Sequence, residues 1–216
     1  MTQDATQATT FGDSTLRGYL DQLAAKVPAP GGGAVAALHA AQGAALVAMV
    51  ARYTTRAKDA ENRPVIDRII EAADTARERS LALADADAAA FTAVGNAYKL
   101  PKDTDEQLAA RKQAITESLL NAARVPAAVV AEADEIVSLA AELLPIGNPN
   151  VVTDIGAAAD AARSAAASSQ LNIAINVASL DAGAGAEFAP VLKQIEEIMA
   201  RADALHTDVV SAITTA

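Results

Sequence analysis

Residues 28–51 read PAPGGGAVAALHAAQGAALVAMVA, a stretch without formal charge when His39 is neutral. Pro28 and Pro30 keep the approach out of the α region, because proline fixes its own φ and restricts the residue before it. From Gly33 onward Val35, Leu38, Leu46, Met49 and Val50 stand among alanines and Gly43. That pattern predicts a helix, running to about Ala57, whose surface is small on every side and open to close packing. Gly31, Gly32 and Gly33 mark its N-terminus. Bare backbone N–H groups at a helix start can meet an anion, aided by the positive end of the dipole. The same glycines also serve a tight turn and a close helix crossing, and the motif alone does not choose between the two.

A run of this length is also tested as a membrane span, since about 20 apolar residues suffice. Few of the strongly inserting residues are present, and His39, Gln42 and the glycines oppose insertion. The stretch reads as the buried central helix of a protein that does not enter a membrane.

Working outward, the 216 residues support one domain with a large core. Hydrophobic residues make up 52% but aromatic ones only 3%, so the apolar content is largely alanine, which favours close-packed helices over a sheet. The net charge of −10 argues against a nucleic-acid backbone as partner. No cysteine is present, so disulfides, thiolate nucleophiles and Cys-ligated metals are excluded, and two separated histidines make a poor zinc site. Residues 1–13 read as a polar, acidic, flexible tail with no signal-peptide pattern, which leaves the cytoplasm as the expected location. Residues 14–216 form the domain.

Asp13 or Ser14 can cap a first helix carrying Leu16, Tyr19, Leu20, Leu23 and Val27 at helical spacing. A long helix follows from about Pro64 to Tyr98. On it Leu83, Phe91, Val94 and Tyr98 share one apolar side, and Asp87 falls among them whereas Asp85 does not. Thr104 to Gln107 has the form of a capping box opening the next helix, which Pro126 is expected to kink or divide. After the turn-forming Pro145–Asn150, Thr153 or Asp154 is available as an N-cap. Asn172 and Asn176 lie four apart on one face of the following helix. A last amphipathic helix carries Phe188, Val191, Leu192, Ile195, Ile198, Met199, Ala202 and Leu205. The whole predicts an all-α fold, a single up-and-down bundle of five to six main helices around the Gly/Ala-rich one.

LRGYLDQLAAKVPAPGGGAVAALHAAQGAALVAMVARYT, then YKLPKDTDEQLAARKQAI, GNPNVVTDIG and LNIAINVASL, resemble in order the motifs of the cyclodeaminase/methenyltetrahydrofolate cyclohydrolase family. That family includes the C-terminal cyclodeaminase domain of formiminotransferase-cyclodeaminase. The resemblance spans roughly Leu16 to Leu205. It implies a homodimer acting on the one-carbon unit between N5 and N10 of tetrahydrofolate, with no cofactor or metal beyond the folate itself. One reaction adds water to the methenyl carbon to give 10-formyltetrahydrofolate. The other closes a formimino group and releases ammonia. The first is the leading expectation, because a chain of this length has no room for a fused formiminotransferase domain. A folate-binding or helical interaction protein without catalysis is a third possibility.

The resemblance implies Asp87, Lys102 and Asp154 as catalytic candidates, and Gly31, Gly32, Gly33, Lys58, Asn148, Asn172 and Asn176 as substrate-binding ones. Each has a structural alternative. Asp87 is equally a paired or solvated helix carboxylate, Lys102 a surface loop residue, Asp154 an N-cap, and the three asparagines amides joining helices. Two positions depart from the family pattern: Ala34 stands where a serine is frequent, and RAKDA stands where a lysine-rich run is frequent. His39 occupies a usually small position and reads as packing.

Overall fold

The structure, a computed structural model, describes residues 10–215 apart from the side chain of Lys58. It is all-helical: α1 (Leu16–Leu23), α2 (Gly32–Arg52), α3 (Arg63–Ala97), α4 (Asp105–Leu143), α5 (Val152–Ala178) and α6 (Ala189–Thr214), with short 3-10 turns between them and no strand among the described residues. The predicted all-α bundle of five to six main helices is what forms.

α2 is the centre. It packs against α3, α4 and α5, and more than half of its residues are buried, from Gly33 to Ala51. Alanine on all sides makes this possible, since neighbouring helices approach until they touch backbone. Gly43 shows the limit: a Cβ there would sit 3.1 Å from the Ala158 carbonyl of α5 and 3.3 Å from Ile136 of α4. α2 is long and apolar enough to cross a membrane, but here it forms the core of the bundle. It stops at Arg52, earlier than the sequence pattern predicts. Thr54 turns back on the helix, its hydroxyl donating to the Val50 carbonyl at 2.8 Å, and Ala57–Asn62 form a separate 3-10 turn.

Several local expectations are corrected. α1 is capped by Thr15, not by Asp13 or Ser14, and of its apolar stripe only Tyr19 is buried; Leu16 is 75% exposed. Of the expected flexible tail, residues 1–9 lie outside the described ones, and Phe11–Asp13 form a 3-10 turn docked on α3. There the Phe11 N–H donates to Asp85 at 2.9 Å and the Phe11 ring meets Tyr19 edge to face. At α4 the cap of Thr104 on the Gln107 N–H forms, but the return bond from Gln107 reaches Asp103 instead of Thr104. α4 continues through Pro126 undivided. Burial of Ala122, Ala123, Val129 and Val130 on either side holds the helix together where one backbone bond is missing. A bidentate pair from Arg79 to the buried Glu132, at 2.8 and 2.9 Å, fastens α3 to α4.

Candidate functional site

The N-terminus of α2 opens onto a cavity of about 310 Å³. α3 supplies one wall with Phe91, Val94 and Tyr98, and α5 supplies Asn172, Ile175 and Asn176. Phe91 and Tyr98 are about half exposed. The apolar side of α3 read from the sequence therefore lines a pocket instead of filling the core, and Asp87 sits among its residues at the base of the Gly31–Gly33 turn.

Asp87 is a part-buried carboxylate without a cationic partner among the described residues. It accepts the backbone N–H of Ala34 in the first turn of α2. Gly31, at the cap position, offers no side chain, so a carboxylate from α3 takes the place of the missing cap. The anion predicted at this helix start is thus first of all the protein's own. Any Cβ on Gly33 would overlap the carboxyl group of Asp87, so the glycine is required by close approach. Burial pushes Asp87 above the usual carboxylate range, and the Ala34 N–H offsets only part of that shift. A part-buried carboxyl group without a cationic partner, facing a cavity, is a candidate for proton exchange with a bound ligand.

Asn176 has used both of its N–H donors and Asn172 one of its two. Asn172 Nδ2 donates to the Ser168 carbonyl at 2.8 Å; Asn176 Nδ2 donates to the Asn172 carbonyl at 2.8 Å and to the Ala122 carbonyl of α4 at 3.3 Å. Their Oδ1 atoms have no hydrogen-bond partner among the described residues. Asn176 joins α5 to α4 through its nitrogen and leaves its oxygen as an acceptor, whereas Asn172 bonds only within α5.

Tyr19 escaped the sequence reading as anything but a packing residue. Its ring is buried and its hydroxyl has no hydrogen-bond partner among the described residues, while burial first and the charge of Asp87 second raise its pKa. Nothing in the spacing of α1 distinguishes it from Leu16 or Leu20.

Other candidates lie elsewhere. Lys102 is exposed in the loop between α3 and α4, four residues beyond Tyr98, and does not line the cavity. Asn148, Asp154 and the backbone of Lys58 sit at the opposite end of α2, roughly 30 Å away at 1.5 Å per residue. The side chain of Lys58 is outside the described residues. Asp154 does not cap α5; it stands in the first turn, because Asn148 caps a 3-10 turn, Pro149–Val151, that starts the helix earlier. A larger cavity, about 700 Å³, opens at this end beside Arg56, Asp59 and Asn148, but these groups are engaged with one another or with backbone. Ala34 is fully buried, so the methyl that replaces the family's frequent serine faces the core and not the pocket.

Fold and site together define an all-α bundle protein built around a carboxylate-centred pocket at a glycine-opened helix. The family model for formiminotransferase-cyclodeaminase matches residues 15–187, and the chain belongs to that family. A methenyltetrahydrofolate cyclohydrolase of Methylorubrum extorquens is 39% identical over 196 residues, covering 90% of this chain and 93% of the relative. The formimidoyltransferase-cyclodeaminase of Mus musculus is 35% identical over 166 residues, of which the match spans 76% of this chain but 31% of the relative. The crystal structure of a formiminotetrahydrofolate cyclodeaminase from Thermotoga maritima superposes with a TM-score of 0.79 at 27% identity, covering 94% of this chain and 98% of that one.

Proposed function

We propose that this chain is a methenyltetrahydrofolate cyclohydrolase, converting 5,10-methenyltetrahydrofolate and water to 10-formyltetrahydrofolate. The observation that carries the reading is the 39% identity to a protein of that name across 93% of its length. The pocket supports it chemically. The Asp87 carboxylate takes a proton from water as its oxygen bonds to the methenyl carbon. It returns that proton to N5 as the C–N5 bond breaks, and takes up the hydroxyl proton as the formyl group forms on N10, one proton leaving to solvent overall. The Asn172 and Asn176 oxygens accept N–H groups of the pterin edge, between the Phe91 and Tyr98 rings and the Gly31–Gly33 turn. Lys102, exposed in the loop between α3 and α4, contributes positive charge for the anionic tail.

The second reading, a formiminotetrahydrofolate cyclodeaminase, is favoured by the Thermotoga maritima structure. That chain, named a cyclodeaminase, is matched over 98% of its length and over 94% of this one. Incubating the protein with each folate and following the methenyl absorbance separates the two: decay marks the hydrolase, appearance the deaminase. If neither runs above background while folate binds, both enzyme readings fall and a binding protein remains. The proposal extends to a cytoplasmic homodimer needing no cofactor beyond the folate. Exposed Leu171 and Ile175 beside the pocket mouth support the dimer, and a monomer in sedimentation would remove it.

A further inference from the structure

In a chain with 27 acidic and 17 basic residues, a cation left without a carboxylate is the unexpected outcome. Most described lysines and arginines are paired, as with Arg52 and Asp74, Arg124 and Glu187, or Lys112 and Asp181. Among the described residues, the exceptions are Arg17, Lys26, Lys99, Lys102, Arg111 and Lys193. One of these is tied to the pocket by a contact: Arg111 rests on Tyr98, a residue of the cavity wall.

Arg111 is the built member of the set. It lies in the second turn of α4, where its Nη2 donates to the Tyr98 carbonyl at 3.1 Å and its guanidinium stands over the Tyr98 ring, 5.8 Å from the centroid. Its Nε is shut off from solvent and has no hydrogen-bond partner among the described residues. One N–H of five is used, and the ring and carbonyl hold the remainder in a fixed plane. A buried donor without an acceptor costs stability unless something fills it. A planar, pre-oriented fork is matched by a carboxylate, which accepts two N–H groups at once. The Asp87 carboxylate and the asparagine oxygens exclude an anion from the floor of the pocket, so the carboxylate belongs at the rim.

We infer that Arg111 is a specificity-determining residue that grips a carboxylate on the tail of the substrate and fixes Tyr98 as the wall beside it. This rests on the folate reading above, and it adds which end of the ligand lies at α4. A ligand with a pterin at the Asn172 and Asn176 end and an amino-acid carboxylate at the Tyr98 end fits both the acceptor-lined floor and the guanidinium of Arg111 on Tyr98.

The test compares wild type, Arg111→Gln and Arg111→Lys on 5,10-methenyltetrahydrofolate and on 5,10-methenyltetrahydropteroate, which lacks the glutamate. With Arg111→Gln, KM for the glutamate-bearing substrate is expected to rise about tenfold to a hundredfold with kcat nearly constant, as for loss of a charge-assisted bidentate contact. KM for the truncated substrate stays within about twofold, and Arg111→Lys recovers part of the loss. An equal rise for both substrates overturns the inference, leaving Arg111 only as a support for Tyr98, and so does no change for either. Should Arg111→Gln fail to fold, wild type still decides: its KM must rise with ionic strength for the glutamate-bearing substrate and not for the truncated one, and equal salt dependence overturns the inference. Wild type that turns over neither compound removes the cyclohydrolase reading and this inference with it, a result distinct from turnover that ignores Arg111.

Discussion

The two ends of α2 treat their polar groups in opposite ways. At the C-terminal end the fully buried Thr54 donates to Val50 and accepts the Asn148 N–H at 3.0 Å, Asn148 in turn donates to the Tyr53 carbonyl, and Arg56 binds both Asp59 and the Gly147 carbonyl. At the N-terminal end Gly31 brings no cap, Asp87 is buried against Gly33, the Tyr19 hydroxyl has no partner, and two amide oxygens stand open. Folding alone favours the first arrangement, since an unsatisfied buried group costs about 1–3 kcal/mol. The second is kept where something other than stability is served. The larger cavity lies at the satisfied end and the smaller at the unsatisfied one, so volume is a poorer guide to the site than polar groups left wanting.

Replacing Asp87 by Asn breaks that comparison most directly. Turnover is expected to fall by about 10²–10⁴ with KM within a few-fold, as for a group acting in the transition state. The sign of the stability effect is opposite. Burial raises the pKa of Asp87, so the folded chain keeps its proton to higher pH than the unfolded chain does. That contribution is full below the unfolded carboxylate pKa and is lost as pH rises through the folded one. Asn carries no charge to bury, so Asp87→Asn should melt above wild type at neutral pH, with the advantage vanishing in acid. Thermal melts across that range check the sign; a variant less stable at neutral pH would place Asp87 among the structural groups.

Gly33→Ala tests the geometry behind it. The new Cβ overlaps the Asp87 carboxyl group, which must move while the chain stays helical. Displacement of a catalytic group by about 1 Å costs on the order of 100-fold in kcat/KM. Steady-state kinetics beside a circular dichroism spectrum separate this from unfolding, and unaltered kcat/KM would detach the glycine turn from the chemistry.

At the other end Thr54→Val keeps the shape and strips the Asn148 N–H of its acceptor. Denaturant unfolding should show a loss of about 1–3 kcal/mol with kcat unchanged. A kinetic effect without a stability effect would reverse the assignment of the two ends.

The N-terminal end was also the more legible from sequence. PGGG opens a helix because nothing else in its surroundings can, and Asp87, Phe91, Val94 and Tyr98 declare one face by their spacing, as Asn172 and Asn176 do by theirs. What periodicity does not carry is which face meets which. That Asp87 lies on Gly33 is a contact between residues 54 apart, and the role of Arg111 depends on a Tyr98 carbonyl across a loop. α1 misleads for the same reason: Leu16 and Leu20 repeat at the spacing of a core helix, yet face outward.

Asp154 is the smallest effect and the sharpest check on the division. As a catalytic candidate it would belong with Asp87, but it stands on the first turn of α5 at the satisfied end, three residues past Val151, which caps the helix without a side-chain bond. A carboxylate there lies close to unpaired N–H groups and the positive end of the dipole, an interaction worth about 0.3–1 kcal/mol. Asp154→Asn removes the charge and keeps the shape, so it should cost no more than that in denaturant unfolding and leave kcat within about twofold. A loss of kcat comparable to that of Asp87→Asn would instead mean that the chemistry draws on both ends of α2, which a separation of roughly 30 Å within one chain does not permit. The two carboxylates would then have to meet across two copies of the chain, and mixing Asp87→Asn with Asp154→Asn protein would restore activity.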